Sequence, residues 1–183
     1  MSMIIAARPE IQPYSQTNKK NSADKAGTEF SGRVMKCVQA GGQKVMLNQD
    51  ALMSYASPQT GESVNIYRAG NYTKEHPVYM IKGLDKDGKE FSQEIDARNI
   101  DPEYCSYNEL MVLNLEAGRT SPADYLHAAV VRDQAGIDSY FEQRDFMSVI
   151  EAVMQDHKKM GSWDSYLAYD QWMQSLLKIT ANR

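Results

Sequence analysis

The chain is poor in the residue patterns that mark metal sites, disulfide frameworks and common catalytic centres. Its 183 residues include two cysteines, Cys37 and Cys105, and three histidines. Neither residue type has the spacing of a metal-ligand pair, so the sequence predicts no disulfide framework and no metal site. The glycine-rich nucleotide-binding motifs and the G-x-S-x-G motif of serine hydrolases are absent as well. These absences favour a protein without enzymatic activity and without a cofactor.

Long apolar runs are also missing. Residues 3–7 are five apolar residues followed by Arg8, a run shorter than the apolar region of a secretory signal peptide. No other run approaches the roughly 20 apolar residues of a membrane span. The formal net charge of −4 arises from 20 Lys and Arg against 24 Asp and Glu, and it gives no general attraction for nucleic acid or anionic lipid. The sequence thus predicts a cytoplasmic protein that binds neither nucleic acid nor membranes.

The composition divides the chain into a tail and a domain. Hydrophobic residues make up 42% and charged residues 24% of the sequence, which is typical of a chain that folds around a core. Residues 8–28 differ, because they combine Pro9 and Pro13 with many Gln, Ser, Asn and Lys residues. Such a segment buries too little apolar surface to offset the entropy of ordering it. We therefore predict a flexible tail over residues 1–28 and a single α+β domain over residues 29–183.

Two short helices are predicted at the start of the domain. Apolar residues recur there at helical spacing, and the glycines at 41–42 follow them as they would follow a helix C-terminus. Residues 50–55 are interpreted as a further one or two helical turns. The residues that indicate the first helix are Phe30, Val34, Cys37 and Val38.

A small sheet is predicted next. From about residue 62 apolar and polar residues alternate, and three runs of β-forming residues indicate a three-stranded antiparallel meander over residues 62–96. The sequence Asp-Lys-Asp-Gly at 85–88 separates the last two strands, and Gly88 supplies the positive φ of a tight turn. These four residues also resemble the opening of a calcium-binding loop, but the third acidic ligand and the glutamate at position 12 are missing. We therefore interpret them as a turn.

A four-helix half follows the sheet. Ser106, Ser121, Ser139 and Ser162 each precede a segment with a period of 3.6 residues, and glycines end the first three of these segments. A small sheet followed by four helices makes the predicted fold class α+β. The side chains predicted to face the core are Tyr125, Leu126, Ala129 and Val130 in the second helix, Phe146, Val149, Ile150, Val153, Met154 and His157 in the third, and Trp163, Tyr166, Leu167, Met173, Leu176 and Leu177 in the fourth.

One stretch of the domain joins the predicted hairpin to the first capped helix. It spans residues 77–109 and reads PVYMIKGLDKDGKEFSQEIDARNIDPEYCSYNE. This stretch resembles segments of uncharacterised bacterial protein families, in which a hairpin with an acidic-Gly turn leads into an Ile-Asp-Pro sequence and a capped helix. The resemblance covers less than a fifth of the chain. It implies the fold and a bacterial, intracellular setting, and it implies no activity and no catalytic residue.

Three function hypotheses fit this sequence. The leading one is a non-enzymatic protein–protein interaction or assembly module, because catalytic motifs are absent and eleven tyrosines and eleven methionines suit a contact surface. The second is an enzyme whose active-site residues are dispersed along the chain. Cys105, near a helix N-terminus, and His127 as its base are the pair considered for it. The third is an exported or chaperoned cargo protein whose tail is the address.

The last helix carries the predicted contact surface. Its apolar residues span a wider sector than one core-facing stripe needs, so part of them is predicted to contact a protein partner or a second copy of the chain. Trp, Tyr and Met are enriched at the centres of interfaces. A central position of this helix, buried on most sides, is the alternative explanation. The predicted contact residues are Trp163, Tyr166, Tyr169, Trp172 and Met173.

Overall fold

The computed structural model describes residues 35–40 and 43–181, and it shows a mixed α+β fold. The predicted tail and its boundary at residue 28 lie outside the described residues. In chain order the elements are β1 (Met35–Ala40), β2 (Gln43–Asn48), β3 (Met53–Ala56), β4 (Ser63–Arg68), β5 (Val78–Leu84), β6 (Glu90–Asp96), β7 (Cys105–Ser106), α1 (Tyr107–Glu116), α2 (Pro122–Ala135), β8 (Gln143–Arg144), α3 (Phe146–Lys159) and α4 (Trp163–Ala181), with a 3-10 turn at Ala97–Asn99 after β6.

The main sheet has four antiparallel strands in the order β3-β4-β5-β6. The three predicted strands correspond to β4, β5 and β6. The prediction of three strands is wrong by one, because residues 50–55 form a turn and the start of β3 instead of a helical turn. Met53 is buried and pairs with Ile66 of β4. Pairing with a neighbouring strand therefore decides the conformation of this segment, and its local sequence does not.

The predicted first helix is also wrong where the structure describes it. Residues 35–40 form β1, which pairs antiparallel with β2 so that Ala40 lies opposite Gln43. The remaining residues of the predicted helix lie outside the described ranges. Two glycines can follow a helix, but between two runs of β-forming residues they are equally the sequence of a two-residue hairpin connection.

Polar side chains of β4 hold β2 against the main sheet. Asn65 is buried, its Nδ2 donates to the Met46 carbonyl at 2.9 Å, and its Oδ1 accepts the Asn48 N–H at 2.6 Å. The Met46 N–H donates to Ser63 Oγ at 3.0 Å. These side chains supply backbone hydrogen-bond partners that β2 would otherwise lack.

The turn between β5 and β6 is confirmed. Gly88 has a φ of 74°, as the sequence predicts. The Asp85 carboxylate accepts the N–H groups of Asp87 and Lys89, each at 2.9 Å. Asp85 therefore acts as a turn residue whose carboxylate satisfies the backbone.

The capped starts of α1 and α2 are confirmed, and the predicted start of α3 is wrong. Ser106 and Ser121 each form a capping box with the acidic residue three positions later. Ser139 starts no helix, because α3 begins at Phe146, where the Asp145 carboxylate accepts the Ser148 N–H at 2.9 Å. The Ser139 hydroxyl instead donates to Oε1 of Glu62 at 2.6 Å.

The core lies between one face of the main sheet and the helices. α3 packs along α4, and α1 and α2 pack against them. Two predicted core faces need correction. In α2 the buried residues are Asp124, Ala128 and Val131, whereas Leu126 and Val130 are exposed. In α4 the predicted core residues Trp163 and Leu167 are exposed.

Candidate functional site

A cleft opens between the connection from β3 to β4 and the segment that follows α2. It has a volume of about 700 Å³, within the range of about 300–1,000 Å³ that is usual for ligand sites. One wall consists of residues 56–60 and Glu62, and the other consists of Arg132, Asp133 and residues 136–140. We call it the Glu62 cleft. Loops held by rigid elements, as here, are common places for binding sites.

Glu62 is the buried charge of this cleft. Its side chain is 1% exposed, and its two carboxylate oxygens accept hydrogen bonds from two hydroxyl groups. Ser139 Oγ donates to Oε1 at 2.6 Å, and Thr60 Oγ1 donates to Oε2 at 3.2 Å. No Lys, Arg or His side chain of the described residues forms an ion pair with Glu62. A carboxylate has about four acceptor positions, so further hydrogen bonds to this one remain open.

Arg132 brings a positive charge to the same cleft. Its Nε and Nη2 atoms donate to Asp133 Oδ1 at 2.8 and 2.5 Å. The Asp133 side chain is 70% exposed, and such exposed ion pairs contribute little free energy. The guanidinium also lies 5.9 Å from the ring centre of Tyr107. Arg132 is therefore held in place by Asp133. The N–H groups of its guanidinium that do not donate to Asp133 can donate to a ligand.

Three tyrosine rings pack together beside these charges. The ring centroids of Tyr55, Tyr107 and Tyr140 lie 5.0–5.5 Å from one another. The Tyr55 hydroxyl donates to Asn108 Oδ1 at 2.6 Å. The Tyr140 hydroxyl is buried and has no hydrogen-bond acceptor among the described residues, and the Arg132 guanidinium, which can only donate, lies beside it. Burial raises the pKa of Tyr140, the Arg132 guanidinium opposes this rise and the Glu62 carboxylate adds to it, so this phenol is neutral and close to both charges.

Counting the described residues, the Glu62 cleft thus combines a buried carboxylate without a cation, a guanidinium with N–H groups that Asp133 does not use, and a phenol without an acceptor. This combination can bind a small polar group that carries a positive charge. Sequence reasoning missed all three residues. No local pattern marks Glu62, Arg132 and Tyr140, because they lie in separate stretches of the sequence and meet only in the folded chain.

The structure separates the five predicted contact residues into two groups. Tyr169, Trp172 and Met173 are buried in the core, so the central position of the helix, the alternative explanation, holds for these three. Their burial leaves them no surface for a partner. Their predicted role as contact residues is therefore corrected to a place in the core. Trp163 is 55% exposed and Tyr166 is partly exposed.

Cys105 and His127 have different surroundings. The Cys105 thiol is buried, its Sγ lies 3.9 Å from the Pro102 carbonyl oxygen, and burial followed by the negative charge of Glu109 raises its pKa. A thiol with a raised pKa is a poor nucleophile. The His127 ring instead packs 4.4 Å from the ring of Tyr169. The surroundings of these two residues therefore do not support Cys105 and His127 as a catalytic pair.

His127 belongs to a cluster between α2, α3 and α4. The ring of His157 stacks on the same tyrosine, Tyr169, with 5.4 Å between the ring centroids. The Nδ1 atoms of both histidines are buried without a hydrogen-bond partner among the described residues. Burial lowers the pKa of His127, Asp124 opposes this, and Arg119 and His157 lower it further. The fold therefore favours the neutral form of the His127 imidazole.

We expect the stability of the protein to fall on mild acidification because of His127. Its pKa is lower in the folded chain than in the unfolded chain, where it is about 6.5. Below that pH the unfolded chain binds more protons, so the free energy of unfolding decreases as the pH falls. Urea denaturation at pH values from about 7.5 to 5.5 measures this slope.

His127→Gln is expected to make this slope shallower. His76→Gln is the matched control, because His76 is 57% exposed and lies 3.5 Å from Asp96 at the surface. Equal slopes for the wild type and His127→Gln would show that His127 does not contribute.

Within the described ranges, no group of three or more His, Cys, Asp or Glu side chains could hold a metal ion. In the same part of the chain, every helix falls short of the length and apolar character that crossing a membrane requires.

Comparison with known proteins leaves the assignment of function to the geometry of the site. No family model, no curated protein and no solved structure matches the chain. The predicted resemblance of residues 77–109 to bacterial families therefore stays a prediction. The Glu62 cleft and the exposed part of α4 are the features from which a function can be argued.

Proposed function

We propose that the domain is a non-enzymatic protein-binding module that takes a cationic group of its partner into the Glu62 cleft. The observation that supports this proposal is the buried Glu62 carboxylate, which has hydroxyl partners but no cation among the described residues. Burying an unpaired charge is costly. A partner that brings a positive charge would remove this cost on binding.

A cationic group fits the cleft better than an anionic one. Among the described residues that line it, Glu62, Asp133 and Asp138 are acidic and Arg132 is the one cation. Arg132 is itself paired with Asp133, so the uncompensated charge at the cleft is negative. A negative potential attracts and orients positive groups.

The test uses Glu62→Gln, which keeps the size of the side chain and removes its charge. We expect the variant to be as stable as the wild type or more stable, by about 1 kcal/mol, because an unpaired buried charge is lost. We expect it to bind cationic probes at least about tenfold more weakly. Glu103→Gln is the matched control, since Glu103 is exposed and lies outside the cleft.

Three probes define the cation in this test. Ala-Ala-Ala amide carries only an α-ammonium, Nα-acetyl-lysine amide carries only a side-chain ammonium, and acetyl-Ala-Ala-Ala amide carries no cation. Binding to the full chain is measured from the amide chemical shifts of the cleft residues Gly136 and Ile137. The proposal fails if neither cationic probe shifts these signals, or if Glu62→Gln binds both probes as the wild type does.

A second candidate function, an enzyme with dispersed active-site residues, has one observation in its favour. The 2.6 Å hydrogen bond from Ser139 Oγ to Glu62 Oε1 is a contact through which a carboxylate can take a proton from an attacking hydroxyl. Incubation with a fluorophosphonate, followed by peptide mass spectrometry, tests this. Covalent labelling of Ser139 that Glu62→Gln abolishes would favour the enzyme.

Trp163 and Tyr166 are proposed as contact residues for a protein partner or a second copy. Their ring centroids lie 5.9 Å apart, and Met160 and Leu167 nearby in sequence are exposed. We expect light scattering to show concentration-dependent association that Trp163→Ser weakens by about tenfold or more. Leu126→Ser, at an exposed apolar position of α2, is the control. A monomer at every concentration would exclude self-association through Trp163.

A further inference from the structure

We infer that the group bound in the Glu62 cleft is the free N-terminus of a peptide chain, with its α-ammonium against Glu62 and its first carbonyl oxygen against Tyr140 and Arg132. This inference rests on the proposed function and specifies the partner of the same site. It follows from the chemical nature of the groups that remain open in the cleft.

Tyr140 is 3% exposed, and its hydroxyl has no hydrogen-bond acceptor among the described residues. The Arg132 guanidinium lies beside it but can only donate. Buried polar groups almost always have a partner, so an open one at the edge of a cleft points to a ligand atom. A phenol O–H can donate one hydrogen bond. The ligand is therefore expected to offer an acceptor there.

The Nε and Nη2 donors of Arg132 are used by Asp133. Its remaining N–H groups, which lie near the Tyr140 hydroxyl, can only donate. A Lys or Arg side chain also consists of donors only, so it would place a second positive charge beside Arg132 and offer no acceptor. Glu62 needs a cation, whereas Tyr140 and Arg132 need an acceptor.

An N-terminal residue meets both requirements within one group. Its ammonium carries three donors and a positive charge. Its carbonyl oxygen, three bonds from the ammonium nitrogen, is an acceptor. Capture of a chain terminus by converging polar groups is an established mode of peptide recognition. The cleft also has apolar lining from Ala56, Pro58 and Ile137, which suits the side chain of the bound residue.

The size of the cleft favours a peptide over a free amino acid. A volume of about 700 Å³ exceeds what one amino acid fills. A free amino acid would also carry a full negative charge close to the acidic residues of the cleft. The carbonyl of a peptide accepts the same hydrogen bonds without that charge.

The experiment compares the affinities of the three probes and of free alanine for the wild type and for Tyr140→Phe. We expect Ala-Ala-Ala amide to bind at least about tenfold more tightly than Nα-acetyl-lysine amide and than alanine. We expect Tyr140→Phe to weaken the tripeptide about tenfold, the effect of one lost hydrogen bond, and to leave the lysine derivative unchanged. Since the Tyr140 hydroxyl donates to no acceptor among the described residues, this variant should remain folded. Tyr55→Phe is the control, because the Tyr55 hydroxyl is bonded to Asn108.

Three outcomes would overturn the inference. Equal or tighter binding of the lysine derivative would contradict it and leave the proposed function standing. Equal or tighter binding of free alanine would replace the peptide by an amino acid. Failure of every cationic probe would remove both the inference and the proposed function.

Discussion

Gly83→Ala is expected to lower the free energy of unfolding by about 3 kcal/mol or more. Gly83 lies in β5, opposite Val64 of β4 and Phe91 of β6. A Cβ atom at this position would lie 1.7 Å from the backbone carbonyl oxygen of Ser63 and 3.2 Å from Cε1 of Phe91. The phenyl ring can rotate or shift. The Ser63 carbonyl belongs to a strand paired on both sides, so it cannot move without breaking the ladder.

Gly70→Ala is the matched control for this prediction. The same atom is added, but a Cβ at Gly70 would have no heavy atom of the described residues within 4 Å, its two chain neighbours apart. We expect a change of less than about 1 kcal/mol, since loss of glycine flexibility in the unfolded chain offsets small costs. Urea denaturation of both variants gives the difference. Equal midpoints would show that β4 and β5 are spaced more widely than the structure has them.

The close approach of β4 and β5 at Gly83 also affects the position of residues in the Glu62 cleft. Ser63, whose carbonyl contacts Gly83, follows Glu62 directly in the chain. The absence of a side chain at Gly83 lets β4 and β5 approach, and it thereby fixes the start of β4. A displacement there would shift the carboxylate away from the hydroxyl of Ser139. Small residues often mark such close backbone contacts.

Features that depend on neighbouring residues could be predicted from the sequence. The capping boxes at Ser106 and Ser121 need a donor and an acceptor three positions apart, and the turn at Gly88 needs one residue with positive φ. In these cases the residues that interact are close in the chain, so their pattern carries the information.

Features that depend on distant residues could not be predicted. β1 and β3 are strands because β2 and β4 supply their hydrogen-bond partners, and their own sequences are compatible with helices. Ser139 has the local pattern of a helix N-cap, but its hydroxyl donates to Glu62. Long-range contacts therefore override local preference in these segments.

The Glu62 cleft shows most clearly that features formed by separate segments could not be predicted from the sequence. Glu62, Arg132 and Tyr140 come from three separate segments, and none of them stands in a recognisable motif. A buried glutamate at the start of a strand has the same sequence pattern as an exposed one. Its burial becomes visible only when the segment after α2 folds against the connection from β3 to β4.

Trp172→Ala is expected to lower the free energy of unfolding by about 3–5 kcal/mol, the usual cost of removing a fully buried aromatic side chain. Trp172 is 0% exposed. Its indole Nε1 donates to Oδ1 of Asn114 at 2.6 Å, and Asn114 is buried as well. The substitution leaves both a cavity and an unsatisfied buried amide oxygen. Trp172→Phe keeps most of the ring, so we expect it to cost about 1–3 kcal/mol, mainly through that amide oxygen.

Trp163→Ala separates a role in the core from a role in contacts with a partner. It removes the same side chain from the same helix, but Trp163 is 55% exposed, so we expect the stability of the monomer to change by less than about 0.5 kcal/mol. Denaturation at a concentration below any association compares the two tryptophans directly. A cost for Trp163→Ala close to that of Trp172→Ala would mean that Trp163 is buried against the rest of the chain, and it could not then serve as a contact residue. A small cost together with weaker association of Trp163→Ser would assign Trp172 to the core and Trp163 to the interface.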